Sequence, residues 1–321
     1  MYDVVALGEV LIDFTHLSSD REGYPTMAAH PGGAPANFLA ALSKFGAKTA
    51  LMAKVGEDTF GALLRATLEQ AGISTAGLVT DPTVFTTLAF VTLDGQGERS
   101  FSFARKPGAD TCLRQEELYL TLIDRARVFH FGTLSLTHSP AREATMAAVA
   151  HAKAAGKLIT FDPNLRPPLW EDLAQAKDWM LWGLEQADVV KISDNEVDFL
   201  FGMTPEVGAA HIVNTFGCRL VFVTCGGEGA VYANPNACGR VPALSGISVA
   251  DTTGAGDIFG GSAVWKLLQT HTPPEALTGA QLAEIAAFAC TAASLSTACA
   301  GGISSVPDLG AVEKVLSAIQ S

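Results

Sequence analysis

The 321-residue chain contains no G-x-x-x-x-G-K-[ST] segment, so a Walker-type loop is excluded as a phosphate cradle. Its first apolar run ends in Leu7-Gly8-Glu9-Val10-Leu11-Ile12-Asp13, with one glycine where a dinucleotide fingerprint has G-x-G-x-x-G. That argues against a nicotinamide oxidoreductase. The six cysteines (Cys112, Cys218, Cys225, Cys238, Cys290 and Cys299) form no C-x-x-C pair, and no histidines stand beside them at metal-ligand spacing. Reduced thiols in or near the core are expected. Basic residues are few: 21 Lys and Arg against 33 Asp and Glu leave a formal charge of −12, and none of them form a long run. A nucleic-acid surface is therefore not expected. No apolar stretch reaches the roughly 20 uncharged residues of a membrane helix. The opening residues, Met1 to Leu7, lack the basic flank of a secretory peptide, so a cytoplasmic protein is the expectation. No Pro/Gly/Ser-rich linker or run of like charge divides the chain, and residues 1–321 read as one domain with a small appendage.

What the chain does have is 48% hydrophobic residues in alternating short and long stretches. Segments 4–7, 49–54, 128–131, 158–161, 189–192 and 220–224 are short and almost continuously apolar, as strands of a parallel sheet covered on both faces must be. Segments 36–45, 60–71, 141–155, 173–185 and 206–216 carry helical spacing, as do 258–268, 282–297 and 309–319. The pattern predicts a doubly wound α/β sheet. Residues 85–103 break it: Leu88-Ala89-Phe90-Val91-Thr92-Leu93, the turn Asp94-Gly95-Gln96-Gly97, and Arg99-Ser100-Phe101-Ser102-Phe103 form a hairpin signal. This hairpin either decorates an edge or, with the excursion after the first strand, forms a β-sheet lid from about 13–30 and 84–106 that excludes water from a reaction.

The most informative segment is Asp251-Thr252-Thr253-Gly254-Ala255-Gly256-Asp257, which runs into the apolar stretch Ile258-Phe259-Gly260-Gly261. A glycine-spaced turn opening a helix leaves backbone N–H groups unpaired, backed by the positive end of the helix dipole, and suits an anion. An aspartate in a first helical turn is ordinarily a dipole-compensating cap. Here it follows small residues that let a ligand approach the backbone, which points to a base beside a phosphate and to phosphoryl transfer.

A second glycine-rich turn, Pro31-Gly32-Gly33-Ala34-Pro35-Ala36-Asn37, reads either as a plain turn before a helix or as a ligand contact with Asn37 one turn in. Thr224-Cys225-Gly226-Gly227-Glu228-Gly229 fits a nucleotide lying against the backbone, or a hairpin turn.

Together these segments resemble the two signature regions of the ribokinase-like (PfkB) sugar kinase family. Gly8 to Asp13, Phe129-His130-Phe131-Gly132-Thr133-Leu134-Ser135-Leu136, Phe161-Asp162-Pro163-Asn164-Leu165-Arg166 and Val190-Lys191-Ile192-Ser193-Asp194 are most similar to bacterial fructokinases. The resemblance covers essentially the whole chain, in order. It implies a ribokinase-like doubly wound, mostly parallel sheet flanked by helices, with a small β-sheet lid. It also implies an ATP- and Mg²⁺-dependent kinase of a sugar primary hydroxyl, most similar to enzymes making fructose 6-phosphate.

By the resemblance Asp257 is the general base, and the N–H groups of Gly254, Ala255 and Gly256 stabilise charge on the transferred phosphoryl group. Asp13, Gly32, Gly33 and Asn37 are implied sugar contacts, with Arg105, Asn164 and Arg166 as further substrate contacts; Arg105 reads equally as a solvated arginine. Thr224, Gly226 and Gly229, with Gly254 and Gly256, are implied to hold ATP. Ser193 stands where the family often has asparagine, which leaves its phosphate contact open, and Glu196 is implied to organise Mg²⁺ through water. Backbone carbonyls of Asp251, Thr253, Ser296, Cys299, Gly301 and Ser305 are implied to surround K⁺. A homodimer is implied by the lid. Within the class, a 2-keto-3-deoxygluconate kinase or a small-riboside kinase are the alternatives, and outside it a catalytically silent sugar-binding relative.

Overall fold

The structure is a computed structural model that describes residues 1–93 and 99–320; the expected turn at Asp94-Gly95-Gln96-Gly97 lies outside them. The chain opens with β1 (Tyr2–Leu7), β2 (Leu11–Ser19), β3 (Pro25–Gly32), α1 (Ala34–Lys44), β4 (Thr49–Gly56), α2 (Thr59–Gln70) and β5 (Ile73–Asp81). The hairpin β6 (Leu88–Leu93) and β7 (Arg99–Ala104) follows, then α3 (Thr121–Asp124), β8 (Ala126–Gly132), α4 (Ala141–Ala154), β9 (Leu158–Asp162), α5 (Leu173–Gln186) and β10 (Val189–Ser193). The last third holds α6 (Asp194–Phe201), α7 (Pro205–Phe216), β11 (Leu220–Thr224), β12 (Ala230–Asn234), β13 (Ala237–Val241), α8 (Ala255–Thr270), α9 (Gly279–Ser296) and α10 (Leu309–Gln320).

Nine strands form one sheet in the order β13-β12-β11-β10-β9-β8-β1-β4-β5. Pairing is parallel from β5 across to β11, and β12 and β13 add an antiparallel edge. The strands are apolar on both faces because both are covered. Val5, Leu7, Phe129, Phe131 and Phe161 pack toward α4, α5 and α7, through Ala148, Leu184 and Ile212. Val4, Ala6 and Val128 pack toward α1, α2 and α8, through Leu39, Leu42, Leu64 and Ile258. Each face is thus a continuous dry layer, the condition for a parallel sheet.

A second sheet, in the order β3-β2-β6-β7, is made of the two segments expected to leave the main fold. Its strands pair antiparallel within each hairpin, and β2 runs parallel to β6 through Ile12↔Leu88 and Phe14↔Phe90. Phe14 stacks on Phe90 with ring centroids 5.3 Å apart, fixing that register from the side chains.

Periodicity alone did not mark β5, β12, β13 or α6. β5 reads ISTAGLVTD, with polar residues at an edge position, and α6 spans eight residues directly after β10. Three of the six cysteines are buried as expected, Cys218, Cys225 and Cys290; Cys238 and Cys299 are exposed, a correction to the expectation of core thiols.

Candidate active site

The chain leaves β1 toward β4 on one side and returns to β8 on the other, so a crevice opens at the carboxyl ends of the central strands, where open α/β sheets bind ligands. Glu9 follows β1, Asp13 lies in β2, Leu134 follows β8, Asn164 and Arg166 follow β9, Lys191 and Ser193 end β10, and Thr224 ends β11; all line one cavity of about 310 Å³. Val91 and Phe103 of the second sheet complete its wall.

The anion turn closes it from the opposite side. Gly254 is the N-cap of α8 with φ 76°, a left-handed conformation that a side chain resists. A Cβ there would also lie 3.1 Å from the Asn37 amide nitrogen. Gly254 and Gly256 line the first cavity. Ala255 does not: its N–H donates to the Thr252 carbonyl at 3.3 Å, and the residue faces a second cavity. Of the three expected anion donors, the structure therefore brings two to the first cavity.

Asp257 sits in the first turn of α8, 8% exposed, and accepts a hydrogen bond on Oδ2 from Asn37 Nδ2 at 2.9 Å. Burial raises its carboxyl above the ordinary carboxylate range; Lys191, the Asn37 amide and Arg166 oppose that rise. The other end of the Asn37 amide, Oδ1, is buried with no hydrogen-bond partner. Oδ1 lies against Gly302, where a Cβ would come within 2.2 Å of it, and an unpaired buried acceptor of this kind is costly unless a ligand hydroxyl reaches it.

Asp13 lines the same cavity, and burial lifts its carboxyl to about 7 against the pull of Arg166. Gly33 lines it too, while Gly32 stands behind: a Cβ on Gly32 would meet Asp13 Oδ2 at 2.4 Å, so its role is to leave that carboxylate room. Arg166 donates to the Leu165 carbonyl at 3.1 Å through one nitrogen and projects along the cavity wall. Asn164 adopts φ 46° at the end of its strand, a left-handed turn that asparagine tolerates.

Arg105 is a correction. It is 3% exposed, is paired with Asp110 at 2.6 Å, and donates to Thr137 Oγ1 and the Leu134 carbonyl at 2.9 Å. Its guanidinium is spent within the protein and lines neither the first nor the second cavity. It is not the solvated residue that its position allowed: Asp110, Thr137 and Leu134 hold its guanidinium.

Ser193 and Glu196 form the capping box of α6, with Glu196 Oε2 accepting from Ser193 N at 2.8 Å and Oε1 from Leu165 N at 2.6 Å. Both residues line the cavity. Each carboxylate oxygen keeps a free lone pair, which suits a hydrated divalent ion held mainly by phosphate oxygens. The second cavity, about 400 Å³, takes in Thr224, Gly226 and Gly229 with the apolar Leu244, Ile247 and Phe259. Thr224, Thr252 and Gly256 line both cavities, so the two meet at the anion turn. A polar chamber joined to an apolar slot at a helix N-terminus fits a nucleoside triphosphate.

The segments implied to hold K⁺ are adjacent. Asp251 Oδ1 accepts from Thr253 N at 2.9 Å, and Oδ2 accepts from Gly301 N at 3.0 Å, tying the anion turn to the loop after α9. Ser305 donates from both Oγ and N to the Gly302 carbonyl, at 2.9 and 3.3 Å, while the Ser296 carbonyl accepts from Cys299 N at 3.2 Å and retains a lone pair.

Three residues of the site lay outside the expected set. Glu9 accepts from Ala34 N at 2.9 Å, and burial raises its carboxyl to about 7. Lys191 and Asp162 form a pair at 3.1 Å beneath the anion turn. The available signal was a lysine inside the otherwise apolar run 189–192, since a buried parallel strand seldom keeps a charge without use for it.

A family model described as pfkB family carbohydrate kinase matches residues 1–309. Fructokinase-2 of Solanum lycopersicum is 39% identical over 307 residues, covering 95% of this chain and 93% of its own length. Among solved structures, fructokinase with bound ATP from Xylella fastidiosa is similar with a TM-score of 0.89 and 29% identity over 100% of both chains. A fructokinase double mutant from Vibrio cholerae O395, in its fructose, ADP and potassium ion bound form, is similar with a TM-score of 0.84 and 30% identity over 98% of each chain. Fold, site and likeness agree over the length of the molecule, and the chain belongs to the pfkB family of carbohydrate kinases.

Proposed function

We propose that this kinase phosphorylates fructose at its 6-hydroxyl at the expense of ATP. The observation that carries the reading is the meeting of a polar and an apolar cavity at one turn, with Asp257 on the polar side. ATP supplies the electrophilic phosphoryl group. The protein's own part is to hold and ionise the acceptor: Asp13, Gly33 and the unpaired Asn37 Oδ1 bind sugar hydroxyls, and Asp257 takes the proton of the primary hydroxyl. Gly254 and Gly256 offer first-turn N–H groups to the phosphoryl oxygens, and Val91 and Phe103 of the second sheet keep water away. Glu196 suits Mg²⁺ through water, and the Asp251 and 299–305 segments suit K⁺ through carbonyls.

The neutral sugar is favoured over 2-keto-3-deoxygluconate by charge. Glu9, Asp13 and Asp257 line the cavity, and of its two cations Arg166 acts on Asp13 while Lys191 is paired with Asp162, which leaves little positive charge for an acidic substrate. The test is an ATP-coupled assay of fructose, 2-keto-3-deoxygluconate, ribose and small ribosides, with and without K⁺. Turnover of fructose is expected; turnover of the keto acid with fructose inert would overturn the substrate while keeping the chemistry. We further propose a cytoplasmic homodimer joined through the second sheet, where Leu17 of β2 and Tyr24 of the β2–β3 connection are 63% and 70% exposed. Light scattering of wild type and a Leu17→Asp variant tests the dimer: a monomeric wild type overturns it.

A further inference from the structure

Of the described residues lining the first cavity, two carry positive charge, Arg166 and Lys191, and the function just proposed uses Lys191 for nothing. Its side chain is 12% exposed. Its Nζ donates to Asp162 Oδ2 at 3.1 Å and Oδ1 at 3.3 Å, and among the described residues Asp162 is its one hydrogen-bond partner. A Cβ built on Gly256 would lie 2.9 Å from the same nitrogen. The ammonium therefore sits directly under the anion turn, with two protons committed to Asp162 and a third available to the cavity. Asp162, Glu196 and Asp257 face it and hold it charged. A nearly buried ammonium is expensive to keep, and one carboxylate pairs it in the protein alone.

We infer that Lys191 is a further catalytic residue, donating its third N–H to an oxygen of the γ-phosphoryl group where that group rests against Gly254 and Gly256, and that Asp162 is the positioning residue which aims it. No bond to Lys191 forms or breaks. The phosphoryl group passes to the sugar oxygen, the sugar proton passes to Asp257, and Lys191 keeps its protons while neutralising the charge in transit. The apolar slot lies on the far side of Thr224 and Gly256 from the polar chamber, so Lys191 reaches the terminal phosphoryl group and not the nucleoside. Its contact is thus made with ATP and missing with ADP.

The proposal rests on the kinase reading of the site, and binding measured without sugar separates the two. In titration calorimetry with Mg²⁺ and no sugar, Lys191→Met is expected to lose about 10- to 100-fold in ATP affinity, the worth of one hydrogen bond from a charged donor. ADP affinity is expected to stay within about threefold by the same reasoning. Lys191→Met leaves Asp162 unpaired in the interior, so Lys191→Met/Asp162→Asn is measured beside it and is expected to show the same split with a recovered melting temperature. Asp162→Asn alone is expected to move in the same direction by less, and Lys191→Arg to restore part of the ATP preference. Equal losses for ATP and ADP, or none, in the double variant would overturn the role of Lys191. A wild-type chain that binds ATP but phosphorylates none of the sugars would overturn the substrate reading and leave this one standing.

Discussion

Asn37 of α1 donates its amide to Asp257 of α8 at 2.9 Å across 220 residues of sequence, joining the two glycine-rich turns into one site. The contact exists because the helices approach closely: a Cβ on Gly261 would lie 2.3 Å from the Phe38 carbonyl oxygen. The small residues on either side of Asp257 thus do two things. Gly254 and Gly256 clear the turn for an anion, and Gly261 lets α1 come near enough for Asn37 to steer the base.

Replacing Asn37 with Ala removes both a hydrogen bond to Asp257 and the unpaired Oδ1 that we propose meets the sugar. A hydrogen bond to a charged group contributes about 1.5–3 kcal/mol. The kcat/KM for fructose is expected to fall by about 10- to 100-fold by that measure, with KM rising as well as kcat falling. An unchanged KM in steady-state kinetics would show that Oδ1 does not face the sugar.

Asp257→Asn keeps the size and the contact with Asn37 but cannot take a proton. General-base catalysis is worth about 10²- to 10⁴-fold, so kcat is expected to fall at least that far while ATP and fructose still bind. Calorimetry for binding and a coupled assay for turnover separate these. Turnover near the wild-type level would remove Asp257 from the chemistry.

Most of the fold was legible because a parallel sheet buried on both faces writes itself as short apolar runs, and β1, β4, β8, β9, β10 and β11 all read that way. Edge strands do not: β5 and β13 have solvated positions in the run, and the short antiparallel β12 beside β13, though buried, ends in Asn234 and fell below notice with them. Within the site, the turns at Gly33 and at Gly254 to Asp257 were visible from glycine spacing and a misplaced carboxylate. Lys191 was quoted only as part of a resemblance, because its meaning depends on Asp162 lying one strand away. The burial of Arg105 was hidden in the opposite sense, since nothing local shows that Asp110, five residues on, pairs with its guanidinium.

Gly261→Ala sets the close approach against stability. A methyl group 2.3 Å from the Phe38 carbonyl oxygen must push α8 away from α1. Overpacking of this kind costs about 1–3 kcal/mol. Chemical denaturation is expected to show that loss, and kcat to fall further than stability explains as Asn37 withdraws from Asp257. A variant as stable and active as wild type would mean the helices part without disturbing the site.

Arg105→Met tests the reassigned arginine. Both side chains of its ion pair are 2% exposed, and breaking a buried pair from one side costs about 3–5 kcal/mol. The folded fraction at a given denaturant concentration is expected to drop sharply, while KM for fructose in the remaining folded protein stays near wild type. A selective rise in KM with little loss of stability would return Arg105 to the substrate.

The buried carboxylates make activity and stability move oppositely with pH. Burial raises Asp257 above the ordinary carboxylate range, and a base works only when ionised, so the acid limb of kcat/KM is expected above about pH 4, the value of a free aspartate. Burial also raises Asp13 and Glu9, each to about 7. The folded chain then holds their protons more tightly than the unfolded one. Their contribution to stability is complete below about pH 4 and is lost as pH climbs toward 7. Between pH 5 and 8 the ligand-free protein is therefore expected to melt lower as its activity rises. Asp13→Asn carries no proton to lose and is expected to flatten the melting profile. Scanning calorimetry of the two proteins across that range decides it, and parallel profiles would show that Asp13 ionises in the folded chain as it does in the unfolded one.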